Sequence, residues 1–134
     1  MRHLLRAVVV GAVMACSTGT RVEKFAPAHE PAGVTLRLRL HYGRGTQVVA
    51  GELLALQDSG ILLRDSTRIL FVPNDSVRYG ETVTRGTGLS FARKPTGSTR
   101  ERLRLLSRYP GGVSADLLSS LLAAYGRDSV ETAR

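Results

Sequence analysis

Residues 34–42, VTLRLRLHY, alternate without a break. Val34, Leu36, Leu38, Leu40 and Tyr42 fall on one side of an extended chain, and Thr35, Arg37, Arg39 and His41 fall on the other. A period of two marks a half-buried β-strand, because successive side chains in a strand point to opposite faces. A helix made from the same residues would scatter leucine and arginine around its circumference. The chain must therefore build a sheet with one face on a core, and the residues that follow continue that plan.

Gly43-Arg44-Gly45 supplies a turn. Residues 47–57 (QVVAGELLALQ) read as a second strand, in which Gly51 marks a bend or bulge. Asp58-Ser59-Gly60 turns the chain again, and residues 61–65 (ILLRD) and 68–72 (RILFV) form a third and fourth strand around Ser66-Thr67. After Pro73-Asn74-Asp75-Ser76, residues 77–84 (VRYGETVT) form a fifth, and residues 89–92 are a candidate extra strand. Short strands with brief connections predict an antiparallel meander closing into a small barrel over residues 33–92.

The tail changes period. Ser98-Thr99-Arg100-Glu101 has the form of a capping box and predicts a helix over residues 100–109, stopped by Pro110-Gly111-Gly112. Ser114, with Asp116 in the first turn, predicts a second helix to about Tyr125, closed by Gly126. Leu117, Leu118, Leu121, Leu122 and Tyr125 form its apolar stripe. The expected class is α+β: a five-stranded antiparallel β-barrel followed by a C-terminal helical hairpin over residues 98–126.

The order of features in residues 34–83 resembles the Sm-like and SH3-like small barrels. These have an alternating first strand, a Gly turn and a long second strand bent at a glycine, here Gly51. A turn with Asp and Gly (Asp58, Gly60), an apolar third strand and a Pro-containing turn (Pro73) before the last strand follow. An Sm-like barrel usually begins with a helix, where this chain has a polar segment. The RNA-contacting loop residues of that family have no residue-by-residue match here, so the resemblance carries over no RNA site.

The N-terminus makes a different prediction. Met1, Arg2, His3 and Arg6 form a short positive region, followed by the apolar run AVVVGAVMA over residues 7–15. As a helix that run spans roughly 14 Å, about half of a ~30 Å hydrocarbon core, so it reads as a signal h-region and not as a membrane span. It ends in Val13-Met14-Ala15-Cys16, which resembles the lipobox of bacterial lipoproteins, with Met14 where Ala or Ser is common. The resemblance implies a signal peptide over residues 1–15 and a diacylglyceryl group on Cys16, and the polar, proline-bearing residues 16–32 then form a lipidated tether. It also implies a protein held to a membrane of the cell envelope through its lipid. Ser17 in place of a retaining Asp favours the periplasmic face of the outer membrane in a cell with two membranes. Plain secretion, with Cys16 a free thiol, is the alternative.

Charge and chemistry bound the function. The chain carries 19 Lys and Arg against 11 Asp and Glu, which favours acidic partners. One cysteine supports neither a disulfide framework nor a thiolate metal site. His3 lies in the signal, His29 in the tether and His41 on the polar strand face, with no spacing that suits a metal. No serine sits in a nucleophile elbow, and the glycines at 86, 88, 111 and 112 read as turns. Glu52 and Glu81 are the one candidate carboxylate pair, with nothing to bring them together. No catalytic residue, cofactor or metal is expected.

Arg37 and Arg39 on the first strand, with Arg100, Arg104 and Arg108 at helical spacing, are the candidate binding residues, and Arg93, Lys94 and Arg102 add to the cationic surface. The expected function is a non-enzymatic envelope interaction module with a protein partner. The alternative is a module that binds an acidic ligand, such as a cell-wall polymer, lipopolysaccharide or anionic lipid, through the Arg-rich face. Nucleic acid is not an expected partner of an exported protein.

Overall fold

The computed structural model describes residues 32–84 and 86–134, so the expected signal peptide, Cys16 and nearly all of the expected tether lie outside the described residues. In chain order the elements are β1 (Thr35–Tyr42), β2 (Gly45–Leu56), β3 (Gly60–Asp65), β4 (Arg68–Pro73), β5 (Val77–Thr82), β6 (Ser90–Ala92), α1 (Gly97–Leu106), α2 (Ala115–Ala124) and β7 (Glu131–Thr132). A 3-10 turn, Asn74–Ser76, links β4 to β5.

The strands form one sheet in the order β6-β5-β1-β2-β3-β4-β7. All neighbours are antiparallel except β4 and β7, which run parallel through Leu70↔Glu131 and Phe71↔Thr132. This corrects the expected five-stranded antiparallel barrel. Closure would require β4 to meet β5, but the outer edge of β4 is taken by β7 and the outer edge of β5 by β6. The result is an open, mixed, seven-stranded sheet with two helices.

Both helices pack on the sheet, each on its own apolar cluster. α1 delivers Leu103 to the main core, with Leu36, Leu38, Leu40, Leu53, Ile61 and Leu63. α2 packs Leu118, Leu121 and Leu122 on a second cluster of Leu54, Leu62 and Ile69. The second half of β2 is therefore covered on both faces, with β3 and β4, which is why Leu53, Leu54, Ala55 and Leu56 are all buried in succession.

Two bulges adjust the side-chain parity that this arrangement needs. Pairing of β2 with β3 runs Leu56↔Ile61, Ala55↔Leu62, then Leu53↔Leu63, which leaves Leu54 as the extra residue. The insertion lets Leu53 and Leu56, three apart, both face the main core. A second shift sets Arg39 opposite Tyr79 and Leu40 opposite Val77, so Arg78 is the extra residue of β5. Gly51 is not itself bulged, but a Cβ there would lie 2.6 Å from the carbonyl oxygen of Arg64, and only glycine lets β3 approach so closely.

Neither end of α1 follows the sequence expectation. α1 starts after Thr96 with no side-chain cap, so the capping box is not formed; Glu101 bonds Arg104 instead, at 2.6 and 2.9 Å. The helix stops at Leu106, because the Ser107 hydroxyl and N–H both donate back to the Arg104 carbonyl. The next residues then leave the helix for β2, with Arg108 N–H donating to Leu53 O and Tyr109 N–H to Leu54 O. α2 is capped as expected, Ser114 Oγ accepting from Leu117 N–H, and Gly126 follows it at φ 65°.

Candidate functional site

The five candidate arginines do not share one surface. Arg37 and Arg39 lie on the outer face of β1, as the alternation predicts, and both are exposed. Arg37 is bound by Glu81 at 3.1 Å, whereas Arg39 has no carboxylate within 4.0 Å among the described residues. Arg100 turns inward and donates to Gln57 O at 3.2 Å. Arg104 is held by Glu101 and by Pro110 O. Arg108 lies beyond the helix end and binds Glu52 at 3.3 Å. The spacing of residues 100, 104 and 108 therefore does not produce a helix face.

The outer face of β6-β5-β1-β2 is covered by neither helix. Cross-strand register aligns Ala92, Tyr79, Arg39 and Val48 in one row and Ser90, Glu81, Arg37 and Ala50 in the next. Arg39 thus stands between a half-exposed tyrosine ring and an exposed valine. At the β5–β6 end of the sheet, Arg78, Arg93 and Lys94 line a cavity of about 400 Å³ together with Asn74, Asp75 and Val77. All three cations are exposed, and none has a carboxylate within 4.0 Å among the described residues. Arg93 adopts a left-handed backbone (φ 62°), unusual for a residue with a side chain, and its N–H donates to Arg78 O at 2.9 Å. Asn74 fixes the cavity to the β2–β3 turn through Ser59 O and Asp58 O, leaving its Oδ1 buried and unpartnered. The sequence placed Arg93 and Lys94 in a cationic surface but missed Arg78, which no local pattern distinguishes.

A second polar cluster is internal. Glu52 is 8% exposed and accepts from Arg64 Nη2 at 2.6 Å, Arg64 Nε at 2.8 Å, Gly33 N–H at 2.9 Å and Arg108 Nη1 at 3.3 Å. Arg64 lies over the Tyr125 ring and Arg108 over that of Tyr109. Burial opposes the charge of Arg108, but Glu52, followed by Tyr109 and Tyr125, holds its guanidinium more basic than usual. In the same way, hydrogen bonds from Arg104 hold the exposed Glu101 carboxyl below the usual range. The bulge at Leu54 creates the Glu52 pair: it sets Glu52 opposite Arg64, where an unbulged ladder continuing from Leu56↔Ile61 would set it opposite Asp65.

Glu52 and Glu81, the candidate carboxylate pair, are each bound by arginine. Among the described residues, no group of three His, Cys, Asp or Glu side chains is placed to hold a metal ion, and no helix is long and apolar enough to cross a membrane. A cavity of about 540 Å³ between α2 and the sheet is lined by Leu62, Phe71, Leu118 and Val130, with Asp58 its one ionisable group. Comparison with protein-family models, with curated proteins and with solved structures gives no match.

Proposed function

We propose that the chain is a non-enzymatic binding module of the bacterial cell envelope, tied to a membrane by lipid on Cys16, that holds an acidic envelope polymer. The observation that carries the binding reading is the set of unneutralised cations Arg39, Arg78, Arg93 and Lys94 around the exposed Tyr79 end of the sheet. Three of them surround one cavity whose one carboxylate is Asp75, so the electrostatic cost of the excess positive charge is relieved when an anion enters. The anchor reading rests on the positive start, the apolar run and the lone Cys16 at its end.

Each reading has its own test. Mass spectrometry of the mature N-terminus is expected to find Cys16 first in the chain and carrying a diacylglyceryl group, and an unmodified Cys16 would refute the anchor. For binding, the detergent-extracted chain is expected to be retained on immobilised anionic cell-wall polymer at low salt and released at high salt. Reversing Arg39, Arg78 and Arg93 together to Glu should weaken retention at least about a hundredfold, since losing each cation alone costs about 1 kcal/mol at an anionic surface and each new carboxylate adds repulsion. The thermal midpoint should barely move, because all three side chains are exposed and unpaired. Retention that survives the triple reversal, or that depends on a co-purified protein, would refute the polymer reading.

A further inference from the structure

Pairing of β2 with β3 ends at Glu52↔Arg64, so the first half of β2 is bonded to β1 alone. Leu53 N–H donates to Val34 O at 2.8 Å, which fixes the parity of that ladder. Residues 47, 49 and 51 therefore exchange hydrogen bonds with β1, and the N–H and C=O of Thr46, Val48 and Ala50 point the other way. Among the described residues nothing pairs with those groups. All three residues are exposed, and Val48 is 57% exposed.

Open edges are usually guarded by a charge, a proline or a bulge, because an unpaired ladder recruits other strands. Residues 46–50 read TQVVA and carry none of these. The sheet's outermost strands are less available: β6 has three residues and β7 two. Among the described residues, the longest unguarded edge is therefore internal to the longest strand.

We propose that this edge of β2 pairs antiparallel with the same edge of a second copy of the chain, Val48 opposite Val48 on the two-fold axis. In that register Thr46 faces Ala50, and each outward residue exchanges both of its backbone bonds. A second copy fits because TQVVA meets itself without a charge. The two Arg39 side chains, in the same cross-strand row as Val48, stand three strand spacings apart. That is about 14 Å, beyond the screening length of about 8 Å. A cavity of about 380 Å³ beside the edge, bounded by Val49, Leu70, Arg68 and Glu131, accepts the second copy's Gln47 and Val49, which share the inner face in a continuous sheet. Arg68 is already neutralised by Asp65 and Glu131, and the exposed Arg134 is the cavity's one unpaired cation among the described residues, which meets the uncharged Gln47 and Val49 and no second cation.

The test uses the full chain in detergent. Sedimentation is expected to show a reversible monomer–dimer equilibrium that shifts with concentration. Val48→Pro should abolish the dimer and leave the β1–β2 hairpin intact, since the Val48 N–H points away from β1; Val48→Lys should do the same without touching the backbone. Val48→Cys should form a 48–48 disulfide in air, located by mass spectrometry. The Cα separation of about 5.5 Å in such a pair lies within disulfide reach. Thr46→Cys should not link to itself, because the two positions are offset by four residues, about 13 Å. A chain that stays monomeric at every concentration, a dimer that persists in both Val48→Pro and Val48→Lys, or a Thr46→Cys variant that links as fast as Val48→Cys would overturn the proposal.

Discussion

Leu38→Ala is expected to destabilise the protein by about 2–5 kcal/mol, and Arg39→Ala, one residue along, by no more than about 0.5 kcal/mol. Leu38 is 0% exposed, centred on β1 with Val49 opposite on β2 and Gly80 opposite on β5. Its methyl groups lie where few neighbours can move. A Cβ built on Gly80 would be 2.8 Å from Leu38 Cδ2, 2.6 Å from Phe91 Cε2 and closer still to Phe91 Cζ, so Leu38, Gly80 and Phe91 already fill that layer. Cutting Leu38 back to a methyl leaves a cavity that Phe91, pinned by its own pairing with Gly80, cannot close. Arg39 projects from the opposite side of the same backbone into solvent. Set against a typical domain stability of roughly 5–15 kcal/mol, the leucine change alone brings the chain near unfolding. Urea melts of the two variants should therefore separate widely in midpoint with similar slopes. Equal midpoints would contradict the facing of β1.

That facing was legible because a strand with one wet face prints its burial directly into the sequence. Val34, Leu36, Leu38 and Leu40 are buried, and Arg37, Arg39 and His41 are exposed. The turns at Gly43 and Ser114's cap were legible for the same reason, each being set by local residues. Closure of the sheet was not. It depends on whether β4 meets β5, and the obstacle is β7, two residues of VETA with no periodicity to read. The arginines at 100, 104 and 108 carried a true helical spacing, yet the helix ends two residues early when Ser107 bonds back to Arg104. The unpaired cations were half legible. Arg39 follows from alternation, but Arg78 reaches its place only through a bulge, which shifts parity without a sequence mark. Glu52 reads as a candidate acid in the sequence because nothing there shows its partners, Arg64 and Arg108. Counting back from the Asp58–Gly60 turn without the Leu54 bulge opposes it to Asp65, a repulsive pair that gives no hint of the Arg64 contact.

Glu52→Ala should cost about 3 kcal/mol, the lower end of what removing one member of a buried ion pair costs. The carboxylate joins four places in the chain: its own strand, Arg64 on β3, Arg108 after α1, and Gly33, where the described chain enters the sheet. Without it, two guanidiniums remain side by side, and the Gly33 N–H loses its acceptor. The arginine side chains are 32% and 28% exposed, so water partly resolvates them and keeps the cost from the top of the range. Glu52→Gln should cost less than Glu52→Ala, because the amide oxygen can still accept from Gly33 while the charge is lost. Arg108→Ala should cost least, since Arg64 still donates to Oε2 through two nitrogens and the Gly33 N–H still donates to Oε1. The electrostatic part of the Glu52→Ala loss should shrink as salt screens Arg64 from Arg108, whereas the Leu38→Ala loss should not. Thermal melts of the three variants at low and high salt test this ordering. A Glu52→Ala protein as stable as the parent would mean that the cluster contributes no net stability, its ion pairs only offsetting their own desolvation.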